Sequence, residues 1–353
     1  MRIAVTGGAG FIGSNFVAYL CGKHPDWHIV NIDKLTYAAN PLTLEFLASF
    51  PNNTFFQYDI AQVQGLDELL AKCDAVINFA AETHVDRAMM DAEEFVRTDI
   101  LGTFHLLESV RRKKISRYIQ ISTDEVYGSV ESGSAVESSP LDPTNPYAVS
   151  KASADLFVLS YIKCYGISAN IIRFSNNYGP FQHPEKFMPL ALTNAIEDRP
   201  IPVYGDGTQS REWLFVTDTC RAIELILQRG MAGEIYNVSS GQEEKNIEVA
   251  RKILGFLGKP ESLISYVPDR VAHDRRYSLS SEKIAALGFS PEYTFKRGFE
   301  ETASWYLSNS RWWKKIKEGR AFQAYYSSRY GALQEFLQVR ILFRIMIFLR
   351  NFS

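Results

Sequence analysis

Short runs rich in β-branched residues recur along the first half of the chain, with helical spacing of apolar residues between them: Ile3-Ala4-Val5, His28 to Ile32, Thr54-Phe55-Phe56, Ala75-Val76-Ile77, Tyr118 to Ile121 and Asn170-Ile171-Ile172. Such alternation predicts parallel strands joined by crossover helices, a doubly wound α/β sheet. After Phe174 the texture changes to loops at Asn176-Asn177, Gly179-Pro180 and the PEK of 184–186, followed by a predicted helix at 188–197. A smaller second lobe is expected there. The stretch Trp213 to Leu227, with Thr217 or Asp218 as helix cap, and then Ile235 to Val238, reads as helix plus strand returning to the first sheet. The expected organisation is a cofactor lobe over 1–174 that takes back 212–239, an interleaved substrate lobe over 175–331, and a tail over 332–353.

The tail sets Arg340, Arg344 and Arg350 among Leu, Ile and Phe. A helix packing on the body or on a second subunit is the favoured reading, with a membrane-surface or partner-docking segment as the alternatives. Its longest apolar run, Ile345 to Leu349, falls well short of the ~20 residues of a spanning helix. No membrane span is expected.

Composition narrows the class of function. With 46% hydrophobic and 22% charged residues the chain is an ordinary globular protein, and a formal net charge of -2 gives no electrostatic signature for nucleic acid. Small-molecule chemistry is the expectation. Cys21, Cys73, Cys164 and Cys220 lie far apart, with no CxxC pair and no histidine at ligand spacing, so no metal site is predicted. Scattered cysteines and the absence of a secretory-type start point to a cytoplasmic setting.

TGGAGFIGS, residues 6–14, follows the first predicted strand and opens a helix, with Gly7, Gly10 and Gly13 in GxxGxxG spacing. Such glycines let the backbone approach a pyrophosphate seated at the positive end of the helix. Asp33 ends the second strand about 20 residues further on, where a carboxylate accepts from a ribose 2′-hydroxyl and repels a 2′-phosphate. A Rossmann-type sheet binding NAD rather than NADP is therefore expected. Asp59-Ile60 is expected to meet the adenine, and the FAA of 79–81 leaves the fourth strand where the dinucleotide should cross.

In NPYAVSK, residues 145–151, Tyr147 and Lys151 stand four apart and share one helix face. Oxidising an alcohol needs a base, and a phenol with a pKa of about 10 ionises at neutral pH only with help from a nearby lysine ammonium and the positive nicotinamide. Thr123, at a strand end, supplies a hydroxyl to hold the reacting sugar. In this combination the chain resembles the extended short-chain dehydrogenase/reductase family.

ISTDEVYGS, residues 121–129, carries two acids that hydride transfer alone does not use. Neighbouring side chains in a strand face opposite ways, so Asp124 and Glu125 can serve one substrate only once the chain has turned off its end. If Tyr147 and NAD oxidise a sugar C4 hydroxyl to a ketone, the neighbouring C5 proton becomes acidic. Glu125 is the candidate base that removes it, and a protonated Asp124 the candidate acid that expels the C6 hydroxyl as water.

AAETHVDRA at 80–88, STDEVYG at 122–128, RFSNNYGP at 173–180 and HDRRY at 273–277 resemble the dTDP-glucose 4,6-dehydratases within that family. The resemblance implies a lyase making dTDP-4-keto-6-deoxyglucose for deoxysugar synthesis, with Thr123, Asp124, Glu125, Tyr147 and Lys151 as its catalytic set. It places Phe11, Ile12, Asp33, Lys34, Leu35, Thr36, Asp59, Ile60, Phe79, Ala80, Ala81, Glu82, Thr83, Thr98 and Asn177 around NAD. Around the nucleotide sugar it places Thr83, Thr123, Asn176, Lys186, Phe187, Met188, Pro189, Leu190, Pro202, Val203, Tyr204, Arg211, Asn246, Asp269, Arg270 and His273. Lys186, Arg211 and Arg270 have the charge to meet a diphosphate.

A homodimer paired through 93–112 and 147–164 is also implied. The alternatives are a UDP-sugar 4-epimerase or decarboxylase, and a silent NAD-binding scaffold. Several positions depart from the family pattern: Val271-Ala272 stand for Pro-Gly, Glu212 for Asp, Asp99 for Asn, and Thr83 for Ser.

Overall fold

A computed structural model describes residues 1–270 and 273–331. The predicted tail at 332–353 and the Val271-Ala272 departure lie outside the described residues. Seven strands, β1 (Arg2–Thr6), β2 (His28–Asp33), β3 (Asn53–Gln57), β4 (Ala75–Asn78), β5 (Arg117–Thr123), β6 (Ala169–Phe174) and β10 (Ile235–Val238), form one sheet in the order β10-β6-β5-β4-β1-β2-β3. Every neighbouring pair in it is parallel. The order reverses between β1 and β4, which opens a crevice at the carboxyl ends of those strands.

Alternation along β1 explains why both sheet faces need helices. Ile3 and Val5 pack with Phe16, Leu20 and Ile223 on one face, while Ala4 packs with Val76, Leu106 and Val158 on the other. Strands buried on both faces read as continuous apolar runs, the signal seen in the sequence.

Between β6 and the end of the described chain lie β7 (Asn176–Tyr178), β8 (Ile201–Tyr204), β9 (Ser210–Phe215), β11 (Glu243–Lys245) and β12 (Ile264–Val267), paired as β11-β9-β7 and β12-β8. Their core holds Tyr178, Trp213, Phe215, Phe295 and Trp313. The expected helix at 188–197 is Phe187–Ile196. Another helix, Val216–Arg229, starts at Phe215 with no side-chain cap. Thr217 and Asp218 therefore lie inside it, and Asp218 instead accepts hydrogen bonds from the amides of Glu292 and Tyr293 and an ion pair from Arg221. Its carboxylate fastens a loop onto the helix start, a use that local sequence does not reveal.

Among the described residues no helix is long and apolar enough to cross a membrane.

Candidate active site

The glycine loop is tight for a steric reason. Gly7 has φ +71°, and a Cβ there would lie 2.6 Å from the backbone nitrogen of Ala80; a Cβ on Gly13 would lie 2.2 Å from the carbonyl oxygen of Gly7. Only glycine lets the helix Phe11–Lys23 start directly against the ends of β1 and β4. Gly10 caps that helix without a side-chain bond, so its first amides point to the crevice.

Asp33, at the end of β2, accepts from the amides of Ala9 (3.0 Å) and Leu35 (2.8 Å), and burial pushes its carboxyl above the ordinary range. Lys34 reaches across to Thr98 (2.8 Å) and Glu82 (3.3 Å). Asp59 accepts from the amide of Ala61 and pairs with Arg97.

One cleft is lined by Gly7, Gly10, Phe11, Ile12, Gly13, Asp33, Lys34, Thr36, Asp59, Ile60, Phe79, Ala80, Ala81, Thr83, Thr98 and Asn177. It continues without a break to Thr123, Asp124, Glu125, Tyr147, Lys151, Asn176 and Lys186. Leu35, with φ 62°, lines an adjoining groove instead.

The two acids fall where the chain turns. β5 ends at Thr123, and a 3₁₀ turn, Asp124–Tyr127, begins at once, capped by Thr123 Oγ1 accepting from the amide of Glu125. Leaving the strand breaks the alternation, so both carboxyls line the same cleft. Burial first, and then the neighbouring Glu125, pushes Asp124 up to about 8. Its Oδ1 accepts from Thr123 at 3.1 Å, while its Oδ2 has no hydrogen-bond partner among the described residues. Glu125 is also raised by burial, against Arg211 and Lys186, which favour its charge, and accepts from Asn145 at 3.3 Å.

The helix Pro146–Tyr165 is nucleated by Asn145, which accepts from the amide of Ala148, and by Pro146 at its first position. It buries Tyr147 and Lys151 on one face. Lys151 donates to the carbonyl of Ile121 at 2.6 Å, which holds its ammonium under β5. Burial, with Glu125 and Asp99 next, pushes the Tyr147 phenol well above its ordinary value, and Thr123 works against them.

The remaining sugar-side positions divide. Arg211, on β9, is buried over the Tyr277 ring and donates to the carbonyls of Ser210, Asp274 and Arg275. Arg270 pairs with Asp86 through Nε (2.8 Å) and Nη2 (2.9 Å) and lies over the ring of Tyr204. His273 pairs with Asp269, which also accepts from Gln209. Met188, Leu190 and Val203 are buried in apolar clusters, so those side chains serve packing and do not line the cleft. Phe187 and Pro189 share the helix of Met188, Pro202 lies in β8, and Asn246 opens the helix Asn246–Leu257; none of these four, nor Tyr204, Arg211, Asp269, Arg270 or His273, lines the cleft.

Several lining residues carried no assignment from the sequence: Tyr37, Ser122, Ser175, Gln182, His183 and Glu185. Two of the recognised motifs meet here, because Arg87 of AAETHVDRA pairs with Glu185 of PEK at 3.0 Å and lies over the Tyr37 ring. The motifs were visible, but nothing in their spacing showed that they form a pair.

The model of the family described as GDP-mannose 4,6 dehydratase matches residues 4–302. A dTDP-glucose 4,6-dehydratase of Streptomyces niveus is 47% identical over 322 residues, covering 90% of this chain and 96% of that one. The crystal structure of a dTDP-glucose 4,6-dehydratase from Streptomyces venezuelae, solved with NAD bound, superposes with a TM-score of 0.88 at 45% identity, covering 90% of this chain and all of that one. A UDP-glucuronic acid 4-epimerase from Bacillus cereus shares the fold with a TM-score of 0.82 but only 27% identity. With a family model spanning most of its length and a relative this similar over nine-tenths of it, the chain belongs to the nucleotide-sugar 4,6-dehydratase family of short-chain dehydrogenase/reductases.

Proposed function

We propose that the protein converts dTDP-glucose to dTDP-4-keto-6-deoxyglucose and water with NAD as a recycled cofactor. The observation that carries this reading is the pair Asp124 and Glu125, set just past Thr123 in the same cleft as Tyr147, with Asp124 held at about 8. An epimerase has no step that needs a proton donor and a second base there.

The cleft fits NAD on its own terms. A close-packed glycine turn, a helix start with no side-chain cap and the Asp33 carboxylate lie along the switch point in the order a dinucleotide needs. Bound there, NAD would supply a reversible hydride acceptor for C4 and C6 and a positive ring that favours the Tyr147 phenolate. Thr123 orients the C4 hydroxyl and Tyr147 accepts its proton, while Lys151 supplies a buried positive charge beside it.

Glu125 then removes the C5 proton, made acidic by the C4 ketone. Asp124 gives its proton to the C6 oxygen, which leaves as water, and Glu125 returns a proton to C5. Tyr147 ends with the O4 proton and Asp124 lacks one, so exchange through solvent resets the site. Lys186, Arg211 and Arg270 are assigned to the diphosphate; Asn176 and Thr83 border the sugar.

Residues 1–174 with 212–239 form the cofactor lobe in this reading, and 175–331 the nucleotide-sugar lobe. A cytoplasmic homodimer is proposed as well. Val96, Leu101, Val149, Leu156 and Phe157 are exposed on the helices expected to pair, an apolar face that a second copy would cover.

Incubation with dTDP-glucose and NAD tests the function: a product one water lighter supports it, and the unchanged mass of a galactose isomer contradicts it.

A further inference from the structure

Asp99 is an acid buried to 1% exposure beside the catalytic helix, and the mechanism above does not use it. It sits in a π-helical segment, Val96–Gly102, an uncommon geometry that turns both Thr98 and Asp99 inward. Its Oδ1 accepts from the amide of Glu82 at 2.8 Å, on the strand exit that lines the cleft. Its Oδ2 accepts from Ser150 Oγ at 2.6 Å, and the same hydroxyl reaches the carbonyl of Tyr147 at 2.8 Å. The carboxyl thus spans the junction between the cleft floor and the turn that carries Tyr147 and Lys151.

We propose that Asp99 is a positioning residue that sets the pH at which Tyr147 becomes an effective base, by holding the 147–151 turn and by partly neutralising Lys151. The inference rests on the reading of Tyr147 as the C4 base.

The charged groups around this junction are few. Lys151 faces Asp99 from the helix, with Glu82 from the loop after β4 and Lys34 paired to Glu82 behind it. Tyr147 is faced by Glu125 and Asp124 from the 3₁₀ turn and by Asp99 from the π-helix. Asp155, on the same helix, is a second acid near Lys151 but is paired with Arg173 at 2.9 Å. Asp99 has no cation hydrogen-bonded to it among the described residues. Burial lifts its carboxyl to about 7, against the pull of Lys151.

A negative charge near Tyr147 opposes formation of the phenolate. Asp99→Asn keeps an acceptor for the Glu82 amide and turns the other atom into a donor that Ser150 Oγ can accept. The shape is retained and the charge removed.

The test is the pH dependence of C4 oxidation, isolated by the isotope effect of dTDP-glucose deuterated at C4, in the full-length protein with NAD. Asp99→Asn should move the rising midpoint to lower pH by about one unit, the effect of deleting one nearby buried charge. Ser150→Ala removes a donor that favours the ionised carboxyl, and should move the midpoint the same way by less. A midpoint unchanged in whichever variants fold, even with a lower rate, overturns the inference, because a merely structural residue changes amplitude and not midpoint. If the parent protein forms no product, the functional reading itself fails, which is a separate result.

Discussion

Replacing Asp124 by Asn should damage catalysis and stabilise the fold, and the two effects have one cause. The Asp124 carboxyl titrates at about 8 in the folded protein against an ordinary value of 3.8, because it is buried beside Glu125. A group whose folded pKa is raised holds its proton more tightly when folded. Its contribution to stability is therefore complete below pH 3.8 and declines as pH rises towards 8.

Over the upper part of that window, from about pH 6 to about pH 8, the decline amounts to roughly 2 kcal/mol. Asparagine has the same shape and no proton to lose, so the stability difference between variant and parent should widen by that amount and then level off. For a chain of 353 residues this is a change of a few degrees in Tm difference, measurable by calorimetry at two pH values.

An amide cannot transfer a proton to the leaving C6 oxygen. Dehydration should accordingly fall by about 10²–10⁴-fold, the usual worth of a positioned general acid, while C4 oxidation survives. Retention of full dehydration by Asp124→Asn, or a stability difference that does not change with pH, would refute the assignment of Asp124 as the protonated acid.

Four further outcomes follow from the same geometry. Tyr147→Phe should lower turnover by about 10²–10⁴-fold with no transient reduced cofactor, as read by stopped-flow absorbance. Glu125→Gln should instead let reduced cofactor accumulate, because oxidation proceeds and the C5 proton is not removed. In Gly13→Ala the new methyl would lie 2.2 Å from the Gly7 carbonyl, so the turn must shift and NAD affinity should fall in a titration, with the sheet intact by circular dichroism. Arg87→Ala removes the cation hydrogen-bonded to the buried Glu185 carboxylate and should cost about 1–3 kcal/mol in denaturant unfolding, the range for leaving a buried acceptor without its partner.

Much of this architecture is legible in the sequence because parallel strands buried on both faces leave continuous apolar runs, as at Ile3-Ala4-Val5. The glycine turn and Asp33 are legible for a similar reason: backbone approach and a strand-end acid are local features with fixed spacing. Asp124 and Glu125 required one more step, since their shared orientation depends on β5 ending at Thr123. Less legible were contacts between distant segments. Arg87 with Glu185, Arg270 with Asp86, and Asp99 with Ser150 join residues 98, 184 and 51 positions apart. The positions Met188, Leu190 and Val203 illustrate the reverse limit, because a motif match assigns a stretch to the substrate and cannot say which of its side chains turn into the core.

The central claim is that one cleft oxidises C4, eliminates water across C5 and C6, and returns the same hydride to C6. Turnover of dTDP-glucose in deuterated water, followed by mass spectrometry and NMR of the product, tests it most directly. The account predicts a 4-keto-6-deoxy sugar with one solvent deuterium at C5 and, at C6, the hydrogen that began at C4. Solvent deuterium in place of that migrated hydrogen at C6, or an epimer that has lost no water, would contradict it.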